Sequence, residues 1–169
     1  MRDKWGALQL TDSIPEHTID RITIHHSGVV FTGDKSSEQY LSDLQSWSRS
    51  EKGWIDIPYH YLIDLAGGVY QGRPERFPGD TNTEYNPSGH LLISVIGNYQ
   101  EQEFRAVQYE SLVKLLVYLC RLHQVEPQMI KAHKDYTETV CPGKNIYTHL
   151  QDGSLIKKVQ NSIKKISIE

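Results

Sequence analysis

The chain has 169 residues and a mass of 19.4 kDa, long enough to bury a core and short enough to need no second domain. Eighteen Lys and Arg stand against 21 Asp and Glu, a formal net charge of −3, so the basic excess of a nucleic-acid binder is missing and no nucleic-acid partner is expected. Apolar residues make up 38% and charged residues 23%, the balance of a globular protein, and no run approaches the roughly 18 apolar residues of a membrane span.

Residues 1–20 are polar and read as an N-terminal arm that only docking would order. Met1 to Gly6 lacks the apolar stretch of a secretory signal, so the chain is expected either to use another route or to begin after a signal. Arg21-Ile22-Thr23-Ile24-His25 alternates as a strand does and ends in His25-His26-Ser27-Gly28. After a turn-rich stretch at Thr32 to Lys35, Ser36 or Ser37 can cap a helix reaching about Glu51. Tyr40, Leu41, Leu44 and Trp47 recur on it at helical spacing, as core residues do. Ile55 to Ile63 is a strand candidate, with Asp64 to Gly68 as a turn and Val69 to Gly72 as the return of a hairpin.

From Arg73 to Gly89 the chain is dense in Pro, Gly, Asn, Asp and Thr. A loop of that length in a small domain is usually functional, and part of a substrate groove is expected there. Leu91 to Ile96 is almost wholly apolar and branched, the pattern of a strand covered on both faces. Val107, Leu112, Leu115, Leu116, Leu119 and Leu122 outline an amphipathic helix over about 105–124, which Pro127 follows. A short strand through Met129 to Ala132 then leads to His133. Leu155, Ile156, Val159, Ile163 and Ile166, with lysines between, fit a packed C-terminal helix in 151–169. Strands interleaved with helices predict a single α/β domain, a central mixed sheet flanked by α-helices.

Within this frame one polar stretch, Ala132 to Gly143, holds a histidine and a cysteine eight positions apart. Imidazole and thiolate are common zinc ligands, and a catalytic zinc typically takes three protein groups plus water. His133 and Cys141 supply two, and His25 at the end of the first strand is the candidate third. A zinc held by one thiolate and two neutral imidazoles keeps a net positive charge, which suits it to polarise an amide carbonyl and acidify water. His26 should face the other side of its strand, outside the ligand set. Of the two cysteines, Cys120 reads as a buried helix residue, so two free sulfurs are expected rather than a disulfide.

Four segments carry a resemblance, in order: Ile24-His25-His26-Ser27, Gly53-Trp54 through Ile57-Pro58-Tyr59-His60-Tyr61-Leu62-Ile63, Gly68-Val69-Tyr70-Gln71-Gly72-Arg73, and His133 to Cys141-Pro142. Tyr85-Asn86 and Ile96-Gly97-Asn98-Tyr99 fit between the last two. Over about residues 20 to 150 the chain resembles the zinc-dependent N-acetylmuramoyl-L-alanine amidases, the type shared by phage amidases, bacterial recycling amidases and animal peptidoglycan recognition proteins. The resemblance implies an amidase-like domain over 21–150, Zn2+ as cofactor, and a peptidoglycan or muropeptide substrate. It implies that Tyr59 is catalytic. Tyr59 also shares strand parity with Ile57, Tyr61 and Ile63, and a phenol beside zinc could donate to an oxyanion.

Thr139 stands two positions before Cys141, where the family carries a lysine or a threonine that assists the reaction. Arg73 and Asn86 fall where substrate contacts of the family lie, and an arginine suits a peptide carboxylate. One departure is Pro78-Gly79-Asp80-Thr81, which puts Asp80 at the usual histidine position, with orienting substrate, acting as a base or compensating for another residue as its open roles. Two other readings compete: a peptidoglycan-binding module without turnover, against which Cys141 argues, and a cysteine hydrolase with Cys141 as nucleophile and His133 as base. A monomer is expected. Localisation stays open between the cell envelope, which the substrate favours, and the cytoplasm.

Overall fold

The computed structural model describes residues 1–166. Its centre is a pair of parallel strands, β1 (Arg21–His26) and β4 (His90–Val95), and every residue of β4 is buried. Burial on both faces is what the branched apolar run of β4 calls for, since parallel strands are covered on each side. β2 (Tyr61–Ile63) pairs with β4 in parallel, and β3 (Val69–Gln71) returns antiparallel to β2 at one edge. The hairpin turn is held by Asp64 Oδ1, which accepts from the Ala66 and Gly68 amides at 2.9 and 2.7 Å. β5 (Ile130–Ala132) lies parallel to β1 at the other edge, giving the order β3-β2-β4-β1-β5. The sheet is mixed, as predicted.

The two-residue period of the strands separates two cores. Ile22, Ile24, Ile63, Leu91, Ile93 and Val95 pack against α2 (Ala106–His123) and α4 (Ser154–Ile166). On the opposite face Leu62 joins Leu41 of α1 (Ser37–Ser50), Phe31, Ile57, Ile96 and Trp5. Pairing register puts Leu62, Ser94 and His25 in one row across this second face, so the row begins in core and ends in a polar site. The expected cap of α1 is present: Ser36 Oγ accepts from the Gln39 amide at 3.1 Å.

Several expectations change. Only the last three residues of the predicted strand 55–63 form one. Pro58 has no amide to donate, and the carbonyls of Asp56 and Ile57 are taken by the Arg73 side chain instead of a neighbouring strand. Trp47, expected in the core, is 40% exposed, because it lines a cleft beside Trp54 instead of packing inward as Leu41 does. Val107 and Leu122 are likewise exposed, at the two ends of α2. A helix absent from the sequence reading, α3 (Lys144–Gln151), follows the cysteine loop. Both cysteines are free and buried.

The N-terminal arm is docked. Trp5 is buried and donates its indole N–H to the Gln71 carbonyl at 2.8 Å, and Arg2 pairs with the buried Asp56 at 2.6 Å. The C-terminal helix packs through Leu155 and Val159, while the last three positions of the region 151–169 lie outside the described residues. No helix among the described residues is long and apolar enough to cross a membrane.

Candidate metal centre

β1 delivers His25 to the second face of the sheet, and β5 ends where His133 begins a short 3-10 turn, His133–Asp135. Cys141 arrives on the loop that follows. That loop is held at both ends: the Lys134 amide donates to the Cys141 carbonyl at 3.0 Å, and the Gly143 amide to the Val140 carbonyl at 2.7 Å. Gly143 adopts φ +87°, and a Cβ there would stand 2.3 Å from the Tyr99 carbonyl carbon, so the chain can lie this close only with glycine. One ligand atom from each of His25, His133 and Cys141 falls within 4.8 Å of the other two, and all three residues are buried.

The unused atoms point to what this cluster can hold. Cys141 Sγ lies 3.7 Å from His25 Nδ1, close to the roughly 3.5 Å separating a nitrogen and a sulfur on one tetrahedral zinc. His133 Nδ1 is buried and has no hydrogen-bond partner among the described residues, a position that normally costs about 1–3 kcal/mol unless something fills it. The opposite ring nitrogens are occupied: His25 Nε2 meets the Tyr85 hydroxyl at 3.3 Å and His133 Nε2 the Thr83 hydroxyl at 2.8 Å. Imidazoles that ligate a metal are usually steadied in this way through their second nitrogen. The residues present therefore fit a zinc ion.

Electrostatics agree with that fit. Burial, then the neighbouring His133, holds His25 well below the usual histidine range, and burial alone lowers His133 to about 4, so both rings are neutral at physiological pH. Burial pushes the Cys141 thiol up to about 12, partly offset by the His26 amide, which donates to Sγ at 3.3 Å. Three neutral, buried donors around one point suit a cation, whose charge would stabilise the thiolate. His26 faces the other way, its Nδ1 accepting from the Tyr99 amide at 3.1 Å, as strand parity predicts.

A cleft of about 250 Å³ opens over the cluster, lined by Tyr59, Asp80, Thr81, Thr139 and the indoles of Trp47 and Trp54. Tyr59 lies outside any strand, so the parity argument does not apply to it, yet its ring centroid is 5.3 Å from that of His25. Burial first, then Cys141, raises the phenol far above its ordinary value, so it keeps its proton and remains a donor. Thr139 Oγ1 accepts from the Cys141 amide at 3.2 Å, leaving its own proton free for the cleft. Trp47 and Trp54 meet edge to face at 5.9 Å and form one wall.

The three residues read as substrate contacts are placed differently from one another. Arg73 is fully buried beneath the cleft: Nε donates to the Ile57 carbonyl at 3.0 Å, Nη1 to Pro78 at 2.6 Å, Nη2 to Asp56 at 2.9 Å, and Nη2 also meets the Asp80 carboxylate. Four of its five N–H groups are committed, and the side chain is fully buried. Asp80 is on the cleft wall, with 30% of its side chain exposed and one oxygen tied to Arg73. Asn86 is exposed outside the cleft and accepts from the Ser88 amide at 3.0 Å in a local turn. Sequence reasoning left the partners of the imidazoles unnamed. Tyr85, among the matching segments, and Thr83, in the loop expected to be functional, are those partners.

The family model described as N-acetylmuramoyl-L-alanine amidase matches residues 15–144. Among solved structures, the chain is similar to peptidoglycan recognition protein SD of Drosophila, with a TM-score of 0.80 and 28% identity, covering 89% of this chain and 90% of that one. It is also similar to the N-acetylmuramoyl-L-alanine amidase LysC from Clostridium intestinale, with a TM-score of 0.70 and 26% identity over 82% and 85% of the two chains. Among curated proteins, the endolysin of Enterobacteria phage T3 is 26% identical over 147 residues, covering 84% of this chain and 92% of the phage protein.

Proposed function

Since the chain belongs to the N-acetylmuramoyl-L-alanine amidase family, we propose that it is a zinc-dependent hydrolase of peptidoglycan or its fragments, cutting the amide between N-acetylmuramic acid and L-alanine. The observation that carries the proposal is the cluster of His25, His133 and Cys141, whose ligand atoms lie within 4.8 Å at the floor of an open cleft. A bound zinc would supply Lewis acidity toward the amide carbonyl and toward an attacking water.

The chain's own residues then have separate tasks. His25 and His133 present Nδ1 inward because Tyr85 and Thr83 hold their other nitrogens. Tyr59, kept protonated by its surroundings, donates to the oxygen of the scissile amide as negative charge develops there. Thr139, also on the cleft lining, offers a second, neutral donor. The two indoles give the substrate an apolar wall to lie against. Intact peptidoglycan favours action at the cell envelope, and soluble fragments would allow it in the cytoplasm.

The second reading is a recognition module of the same fold without turnover, which the similarity to Drosophila peptidoglycan recognition protein SD keeps in play. Zinc content measured together with mass spectrometry of muramoyl-peptide digests, before and after chelation, separates the two. One zinc per chain and stem peptide beginning at L-alanine, released only by the metal-loaded protein, are the expected results. Zinc without peptide release sinks the amidase reading and leaves recognition. Full activity after the metal is stripped would return Cys141 as a nucleophile, in which case the imidazole at its sulfur is His25 rather than His133.

A further inference from the structure

A second depression lies away from the metal cleft and is larger than it. A trough of about 820 Å³ runs between the outer edge of β5 and helices α3 and α4, more than three times the volume over the metal cluster. Gln128 and Gln160 are shared with a further depression of about 320 Å³ along α4, so the trough is extended rather than round. At its other end lies Tyr136, whose ring stacks on Tyr85 at 5.6 Å, and Tyr85 is in turn 5.2 Å from the ring of His133. A ridge of two half-buried tyrosines thus separates the trough from the metal centre.

The lining has a definite chemistry. Lys131 and Lys157 are exposed on opposite walls and form no ion pair among the described residues, although the chain as a whole carries a charge of −3. Lys134 adds a third ammonium beside the trough, 4.6 Å from the centroid of the Tyr147 ring. The acidic group on the wall, Asp135, is already satisfied by the Ala132 amide at 2.8 Å and the Tyr147 hydroxyl at 3.0 Å. Asp135 keeps its charge, so the wall sets two lysines against one carboxylate, beside three glutamine amides, aromatic rings and aliphatic side chains such as Leu150 and Ile156. The lysines can pair with carboxylates, the glutamine amides with sugar hydroxyls, and the aromatic and aliphatic faces can pack on sugar rings.

We infer that this trough is a second binding surface for the peptidoglycan polymer, taking an acidic stretch of strand while the neighbouring stretch lies over the metal. The inference rests on the proposed peptidoglycan substrate. Carboxylates of uncleaved stem peptides meet Lys131 and Lys157, the glutamines meet amides and hydroxyls, and Tyr136 carries a sugar ring across the ridge. A short fragment fills the metal cleft alone, whereas a polymer reaches both surfaces and gains from their linkage.

The test is co-sedimentation of the full chain with purified cell-wall sacculi, paired with turnover on sacculi and on a soluble muramoyl peptide. Lys131→Glu combined with Lys157→Glu should weaken sedimentation about tenfold, equivalent to about 1.4 kcal/mol, and should lower the ratio of polymer to fragment turnover by a similar factor. Wild-type binding should weaken as salt is raised. Lys114→Glu, an exposed reversal on α2 away from the trough, controls for a charge reversal placed elsewhere, at a change of −2 against the −4 of the double variant. Wild-type sedimentation by the double variant, an equal loss in the Lys114→Glu control, or no wild-type binding to sacculi would each overturn the inference. If the wild type cleaves neither substrate and the double variant still loses its hold on sacculi, the amidase reading falls and the trough stands.

Discussion

Arg73 separates a substrate contact from a structural one by measurement. Replacing it with lysine keeps the charge and shortens the reach. The guanidinium serves three carbonyls, of Asp56, Ile57 and Pro78, and the Asp80 carboxylate, from three nitrogens spread across a plane. An ammonium is one point with three donors, and from the end of a lysine chain it can keep the carboxylate and at most one or two of those carbonyls. At least one buried acceptor is left unpaired, and two is the more natural outcome. At about 1–3 kcal/mol for each, the expected loss is about 3 kcal/mol. For a chain of this size that corresponds to a fall in Tm of about 6 to 12 °C. Urea unfolding followed by tryptophan fluorescence measures it, with Asn86→Ala as the exposed comparison expected within about 0.5 kcal/mol of wild type. A lysine variant within about 1 kcal/mol of wild type but with a raised KM for muramoyl peptide would refute this reasoning and return Arg73 to substrate binding.

Three further outcomes follow from the site. Cys141→Ala should lose stoichiometric zinc, and chelation should lower the Tm of wild type while leaving this variant unmoved; one equivalent bound as tightly as in wild type would remove Cys141 from the ligand set. Tyr59→Phe should retain zinc and lose about 10²–10³-fold in kcat, the effect of removing one oxyanion donor, and a change of less than threefold would take the phenol out of the reaction. Acid should destabilise the fold through its buried imidazoles. His60 is fully buried and lowered to about 3, and His90 to about 4, in both cases chiefly by burial. Each favours folding fully above the unfolded value near 6.5, and that contribution is lost as the pH falls through the folded value, at a rate on the order of 1 kcal/mol per pH unit per group. Urea midpoints of metal-free protein should therefore drop steadily from pH 6.5 to pH 4, and a flat profile would contradict the assignment of neutral buried rings.

Much of the architecture was legible because burial writes itself into period and composition. The unbroken apolar run of β4, the alternation of β1, and the cap at Ser36 each have a local cause that sequence carries. What escaped has tertiary causes. The residues before Tyr61 look like a strand by composition, but the carbonyls of Asp56 and Ile57 are claimed by a side chain 17 and 16 positions away. α3 buries only Ile146, too little apolar pattern for eight residues to announce a helix. Trp47 obeys helical spacing and still ends at the cleft, since spacing gives the face of a helix and not what packs against each turn of that face.

The site divides along the same line. His25, His133 and Cys141 stood out because metal-binding residue types sat at a strand end and in a polar loop, and the structure brings their ligand atoms within 4.8 Å. The supports did not stand out, because they belong to the long segment between β3 and β4, whose path is set by contacts. Gly79 lets that segment press on Pro58, where a Cβ would lie 2.5 Å from the carbonyl oxygen. Arg73 grips it at Pro78 and Asp80, and three residues further on Thr83 holds His133 Nε2. The buried guanidinium thus reaches a proposed metal ligand through four positions of backbone and one hydroxyl. An aspartate on the cleft wall is then explained without giving it chemistry: its carboxylate anchors the loop that aims an imidazole. On this account Arg73→Lys should loosen zinc as well as the fold, because the loop that steadies His133 is the same loop that the guanidinium holds.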